Sequence, residues 1–488
     1  MAADSTEIVD RLATLRKEFE GMVGLVTDAE AQTATAAGME LRLFREVLAL
    51  GRNLLELFFL VRAARRPATP RAPDGTEFTD CRLRQTTYQS VFGKIRFRRH
   101  RFFAAGQAGL SPLDEALSLP RRCYSNLLRD WAGHELTDAA FDAGRRTLEC
   151  ILGLDLSKNA LETLVVEDAE AVDAYYEQKG VPSVAEEGPI LVAQADGAGV
   201  RIVGTEASER TGHATSKREA IVTAVYSIHR HVRTPAEMAD ALLRESADTE
   251  RPSGEARPAP IGKEVRATLD GKGPAMDRLR HRVQGRDGAH IQDRVALTDG
   301  DEALQAQVTK TLPGFTLVLD IMHVLSYLRP AAVALHGGWN SPSCQPYVRK
   351  QLKALLAGQT QTVIDDMAAH LAQTSLSAWR QAPVQAAIRY FTNNAAFMHY
   401  DQYLASGWPI ASGVIEGSCK HAVRGRLDRS GMKWARPGAH AMLQLRTVPI
   451  NDDWDAYQRF LRHREHLRLY GSDVTPSIPE AELHAKAA

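Results

Sequence analysis

Residues 189–204 read PILVAQADGAGVRIVG, and this stretch decides the fold. Ile190 to Ala195 are apolar or small apart from Gln194, and turn residues bound the run at Pro189 and Asp196-Gly197. A run this short and this uniformly apolar is a strand of the buried type. Working outward, KREAIVTAVYSIHRHV (217–232), RVALTDGDEAL (294–304) and FTLVLDIMHVL (315–325) repeat the pattern. Three of these runs finish in an aspartate: Asp196, Asp299 and Asp320. A carboxylate at a strand end beside a glycine can present its oxygens to a bound cation. Any one of the three is equally at home as a turn former or helix N-cap. Asp301, two residues past Asp299, competes for the same role. Between the second and third runs, about 234–290, the chain is polar and reads as part helix and part irregular. After His323 it turns helical for roughly ninety residues.

A further acid stands in PIASGVIEGSCKHAVRGRLDRSGMKW (409–434). A helix is expected from about Val414 to Leu427, with Glu416 in its first turn, where the helix dipole favours an anion. Lys420, Arg424 and Arg426 continue that helix, and Arg429, Lys433 and Arg436 extend the basic run. A carboxylate beside a basic stripe fits a site that binds metal and phosphate together. Attack on a phosphodiester needs an activated oxygen, in-line geometry and charge stabilisation, and two hard cations supply all three. Mg²⁺ takes carboxylate and water oxygens, so three carboxylates from separate segments are the expected protein share.

Toward the N-terminus, VDRLATLRKEFEGMVGLV (9–26) and MELRLFREVLALGRNLLELFFLVRAARR (39–66) have helical apolar spacing. RRPATPRAPDGTEF (65–78) breaks the pattern. CRLRQTTYQSVFGKIRFRRHRFFAA (81–105) alternates about Phe92-Gly93 and reads as a β-ribbon. Arg82, Arg84, Lys94, Arg96, Arg98, Arg99 and Arg101 make it a candidate phosphate-tracking surface. Residues 136–172 contain two short helices split by Gly153-Leu154-Asp155-Leu156, with Ser157 as N-cap, the outline of a helix-turn-helix.

The 488 residues suit two to four domains, and 44% hydrophobic with 25% charged is an ordinary globular balance. Zero net charge excludes a uniformly basic nucleic-acid binder but leaves room for local basic surfaces. Cys81, Cys123, Cys150, Cys344 and Cys419 form no CxxC pair, which argues against a zinc ribbon or finger and for reduced thiols. No secretory pattern opens the chain, and the longest apolar run, LLELFFLVRAA from Leu54, is half a membrane span and contains Glu56. A cytoplasmic protein is expected.

On GWPIASGVIEGSCKHAVRGRLDRSGMKWARPGAHAMLQLR, KREAIVTAVY, LTDGDEAL and VLDIMHVLSYL, the chain resembles bacterial insertion-sequence transposases of the ISKra type, in the Mutator-like part of the DDE superfamily. FGKIRFRR and SPLDEALSLP fit as well, and the likeness runs from about Glu40 to Phe460. It implies an RNase H-like mixed sheet, with Asp196, Asp299 and Glu416 as catalytic metal ligands for Mg²⁺ or Mn²⁺, two ions in all. It favours Asp299 over Asp301 and Asp320, and places Asp320 and His323 beside the site in a supporting role. Ala198 stands where the family commonly has a basic residue. The partners implied are double-stranded DNA, as element ends and target, and a second copy or larger assembly, near the bacterial nucleoid.

The fold class expected is multidomain α+β. A helical region (1–70), a basic ribbon (71–125) and a helix-turn-helix-like region (126–185) precede an RNase H-like core (186–322 and 406–465). An all-α insertion (323–405) interrupts that core, and a tail (466–488) follows it. Trp339, Tyr347, Arg349, Lys350 and Lys353 in the insertion are candidates to stack on or steer unpaired DNA. The expected DNA contacts are Lys94, Arg96, Arg98, Arg99, Arg101, Lys420, Arg424, Arg426 and Lys433. Three rival functions remain: a metal-dependent nuclease without strand transfer, a non-catalytic DNA-binding protein, and a hydrolase of small substrates. The last leaves both basic runs unexplained.

Overall fold

In a computed structural model the chain is described over residues 5–65, 67–72, 75–203, 215–244, 257–373, 376–429 and 432–471. It divides into two units, residues 1–171 with 454–488, and residues 172–453. The division differs from the sequence reading in two places. It falls at 171/172 instead of 185/186, and the helix Trp454–Tyr470 returns to the first unit. Most of the expected tail, 472–488, lies outside the described residues.

The first unit opens with helices Ser5–Thr27 and Ala36–Ala64, the second capped by Thr35, which accepts the Gly38 N–H. Asn53 donates to the Glu18 carboxylate at 2.9 Å, and Arg11 pairs with Glu56 at 3.0 Å. Strands β1 (Asp80–Ser90) and β2 (Gly93–Phe103) form the ribbon, antiparallel from Ser90↔Gly93 to Asp80↔Phe103. Its tip is a two-residue turn, with Gly93 at φ +115°, a backbone state that other residues rarely adopt. Ile95 and Phe97 face inward, where Phe97 stacks on Phe59 at 4.2 Å. Helices Asn126–Asp138 and Lys158–Ala169, with Phe141–Leu152 packed on both, meet the helix Trp454–Tyr470 around a buried arginine. Arg129 joins the carboxylates of Asp168 and Glu465. Burial pushes the Asp168 carboxyl up to about 6, against the pull of Arg129.

The second unit is a five-stranded mixed sheet in the order β5-β4-β3-β6-β7, covered by helices on both faces. The strands are β3 (Ile190–Val203), β4 (Thr215–Ile228), β5 (Ile261–Thr268), β6 (Asp293–Thr298) and β7 (Thr316–Leu319). β4 runs antiparallel to both its neighbours, β3 and β5, whereas β6 lies parallel to β3 and β7 parallel to β6. Double coverage explains the unbroken apolar runs of the sequence. Ile190 and Val192 pack with the helices of 321–405, while Leu191, Ala193 and Ala195 pack with the helices Lys272–Arg286 and Glu302–Thr311.

β5 falls in the segment expected to be part helix and part irregular. It carries Lys263, Glu264 and Arg266 among its apolar residues because it is an edge strand, paired only with β4. Asn451 closes its free side, accepting the Val265 N–H at 2.8 Å and donating to the Val265 carbonyl at 2.9 Å. The helical stretch after His323 shares one hydrophobic core with the sheet. Leu325, Leu328, Leu352, Phe391 and Tyr400 are buried together with Val192 and Leu297. No helix among the described residues is long and apolar enough to cross a membrane.

Candidate active site

The parallel register between β3 and β6 pairs Gln194 with Leu297. The pairing ends there, Asp299 is the first residue after β6, and its charge bears on Asp196. Side chains alternate along a strand, so Asp196 shares the face of β3 that carries Val192. β3 does not end at Asp196, where its apolar run stops, but continues to Val203, so Asp196 stands midway along a strand that has antiparallel β4 on one side and parallel β6 on the other, whereas Asp299 follows the carboxyl end of β6. Both are half-buried.

The glycine after each aspartate lies close to another side chain. A Cβ on Gly197 would lie 2.4 Å from Oε1 of Glu219, and one on Gly300 would lie 2.7 Å from the Tyr390 hydroxyl. Gly300 also sits at φ +93°. Asp196 accepts the Gly197 N–H at 2.7 Å, and Asp299 accepts the Asp301 N–H at 3.0 Å. Burial raises the Asp196 carboxyl above its usual range. The Asp299 charge adds to that rise, while the Cys419 thiol, the Gly197 N–H and His323 oppose it.

The other two strand-end candidates are engaged elsewhere. Asp301 caps the helix Glu302–Thr311 through the Leu304 N–H at 2.7 Å and pairs with Lys272 at 3.0 Å. Burial works against its charge, but those two partners hold its carboxyl below the ordinary range. Asp320 caps the helix Ile321–His336 through the Met322 N–H at 2.8 Å and accepts the Ser412 hydroxyl. It is 0% exposed, and burial raises its carboxyl. His323, half-buried one turn along, bears electrostatically on both Asp320 and Asp196.

The helix Gly413–Cys419 is fastened to β3 at two points. Ile415 donates its N–H to the side-chain oxygen of buried Gln194 at 3.0 Å. Gln194 in turn donates to the Tyr226 hydroxyl at 3.2 Å. Four residues along, the Cys419 thiol donates to Asp196, and burial together with that carboxylate raises the thiol far above its usual range. Cys419 therefore stands as a donor to the Asp196 carboxylate. Glu416 lies between these anchors with its carboxylate exposed. The helix does not continue to Leu427 as an α-helix, because Lys420–Arg424 form a π-helical turn. Gln194 and Cys419 were not singled out from the sequence. A lone polar residue inside an apolar strand was the available signal for Gln194.

Neighbouring oxygen donors whose charges repel, Asp196 and Asp299, fit a hard divalent cation. Asp196 and Asp299 would hold it, with Glu416 as the third acid. Among the described residues no three His, Cys, Asp or Glu side chains already stand close enough to cage a metal.

Lys420, Arg424 and Lys433 are exposed, and the Arg424 charge reaches Cys419. Arg426, expected to face nucleic acid, is instead buried at 1% exposure. Its guanidinium lies over the Trp434 ring at 4.9 Å and near the Met432 sulfur at 3.3 Å, so it cannot meet a phosphate there. On the ribbon, Lys94, Arg96 and Arg98 project from one exposed face. Arg99, on the other face, is tied to Asp114. Arg101 donates to the Gly109 carbonyl at 3.2 Å and lies over Phe103. These two are committed inside the unit.

No family model matches the chain. It is similar to a Streptococcus gallolyticus protein described as a UPF0236 protein in the vanSb 3′ region. The two are 23% identical over 402 residues, covering 79% of this chain and 76% of that one. A search of solved structures aligns the chain with a Drosophila P element transposase strand transfer complex. That match has 11% identity and a TM-score of 0.24, and covers 69% of this chain and 80% of the other. So loose a superposition constrains neither fold nor function.

Proposed function

We propose that the chain is a DNA transposase with an RNase H-like core, in which Asp196, Asp299 and Glu416 hold divalent cations for strand cleavage and strand transfer. The observation that carries this reading is the closeness of two acids, Asp196 on β3 and Asp299 just past the end of the neighbouring parallel strand β6, each half-buried and the second bearing on the charge of the first. The helix bearing Glu416 is fastened to the first of those strands. The motif resemblance selects these two acids and adds Glu416 as the third.

Mg²⁺ or Mn²⁺ bound there would activate an attacking oxygen and offset charge on the phosphate. The chain's own residues have separable tasks. Cys419 and the Gly197 N–H orient the Asp196 carboxylate, and Asp301 donates a backbone N–H that orients Asp299. Lys420 and Arg424 are placed to meet the DNA backbone beside the acids. Lys94, Arg96 and Arg98 form a second phosphate-facing surface on the ribbon. Asp320 secures the start of the helix that carries His323.

The test is a plasmid and oligonucleotide assay that scores nicked and joined products separately, with and without Mg²⁺ or Mn²⁺. Parent protein should cut and join only with the cation, and Asp196→Asn, Asp299→Asn and Glu416→Gln should do neither. Variants that cut and join as well as the parent would sink the proposal. Cutting without joining would replace it with a nuclease.

A further inference from the structure

The two N-terminal helices carry apolar side chains that the first unit leaves open. Val9, Leu12, Phe19, Val23 and Val26 on Ser5–Thr27, and Phe44, Val47, Leu54, Phe58 and Val61 on Ala36–Ala64, are 42% to 61% exposed. Their order is regular. Positions 9, 12, 16, 19, 23 and 26 advance by alternate threes and fours, and so do 44, 47, 51, 54, 58 and 61. That is the seven-residue repeat of a coiled-coil seam, sustained in each helix for about 26 Å.

Neither seam is the face that joins the two helices, and the ribbon core packs against other residues of the second helix, the ribbon tip reaching that seam at Gly51. Leu15 is buried between the helices, where Arg11 meets Glu56 and Glu18 meets Asn53. Leu55 and Phe59 face the ribbon core. Each helix therefore has one apolar face in use and a second that is not. Only two rungs lack an apolar side chain. At Gly51 the Phe92 ring from the ribbon tip fills the place, lying 2.7 Å from where a Cβ would stand. The other rung is Arg16.

We infer that a second copy of this chain closes these seams, helical hairpin against helical hairpin, as a four-helix bundle. Three features select that occupant. The first seam is nearly palindromic, as a two-fold interface requires. An antiparallel copy sets Val9 opposite Val26, Leu12 opposite Val23, and Arg16 opposite Phe19 with Glu20 beside it. The ten side chains leave roughly 900 Å² open per chain, close to the ~800 Å² per partner of a standard stable interface. Acidic and basic residues balance across the two helices, which gives the surface no pull toward nucleic acid or an anionic membrane.

The test is the mass of the full chain in solution without DNA, by sedimentation at micromolar concentration. Parent protein should sediment at twice 53.7 kDa. The double variant Phe19→Glu, Phe58→Glu should sediment at the single-chain mass with unchanged helical content, because both residues are exposed. A second variant guards against misfolding. In Leu12→Cys, Val23→Cys the new thiols are ~16 Å apart within one helix, too far to bridge, yet opposite one another between copies. Mild oxidation should give a covalent dimer that the parent does not give. A monomeric parent, a double variant that stays dimeric, or no covalent dimer would each overturn the inference. None of these readings depends on DNA cutting. A monomer that cuts would sink the seam alone, and a dimer that does not cut would sink the proposed activity alone.

Discussion

Asp299 and Asp320 each follow a short apolar strand and precede a helix, yet they end in different environments. Asp299 leaves β6, the direct neighbour of β3, and its half-buried carboxylate stands beside Asp196. Asp320 leaves β7, one strand further out, and is sealed between the Met322 N–H and the Ser412 hydroxyl. The same local pattern leaves a half-buried acid beside Asp196 in one place and makes a helix cap in the other. What separates them is strand order, a property of the whole sheet.

The comparison breaks most readily on activity. Asp299→Asn should lower metal-dependent cutting about a thousandfold, equivalent to ~4 kcal/mol in barrier height. Its melting temperature should not fall. A variant that still cuts would return Asp320 to contention as the second ligand. Asp320→Ala should instead cost stability, about 2–4 kcal/mol by denaturant titration, because a cap is lost and a buried hydroxyl is stranded. Asp320→Asn keeps the capping oxygen and should be far milder.

Cation linkage sharpens the contrast. The Asp196 carboxyl is raised in the folded state, so the stability it contributes is present at low pH and lost as pH rises through that raised value. Metal-free protein at neutral pH should therefore melt higher as Asp196→Asn than as parent. Mg²⁺ at a hundred times its dissociation constant should stabilise the parent by about 2.7 kcal/mol and leave that variant unmoved. Equal responses would remove the cation from this site.

Arginines allow the same comparison of exposed with buried. Arg96→Ala and Arg98→Ala should each weaken DNA binding uniformly across sequences and reduce the salt slope by roughly 0.9 for every phosphate no longer neutralised. Arg426→Ala should lower the melting temperature, because the guanidinium no longer packs on Trp434. The smallest effect belongs to Asp301→Asn. An asparagine still caps the helix, so the loss should stay under ~0.5 kcal/mol.

The runs ending at Asp196, Asp299 and Asp320 were legible because strands buried on both faces leave continuous apolar sequence. The ribbon was legible because alternation about Phe92-Gly93 survives in one strand pair. β5 was not, since an edge strand may carry charges on either face and loses its periodic signal. Asp299 could not be separated from Asp320 on local grounds, because their difference lies in which strand neighbours which. Arg426 was misplaced for a related reason. A basic run reads as one surface until a π turn and a loop rotate one member inward. Cys419, 223 residues beyond Asp196, carries no mark that it will donate a proton to it.

The Tyr390 hydroxyl, 91 residues after Asp299, donates to the Asp299 carbonyl at 2.6 Å and presses on Gly300. Tyr400 reaches the Leu319 carbonyl, and Asn394 reaches Gln305. An inserted run of helices is usually a passenger that can be shortened at its tip with little harm. This one is a buttress: it returns to hold, from outside, the turn from which an acid is presented. Trimming can therefore proceed only from the end far from Tyr390. An evolutionary lineage that lost the last of these helices would have to rebuild the turn after β6 by other means.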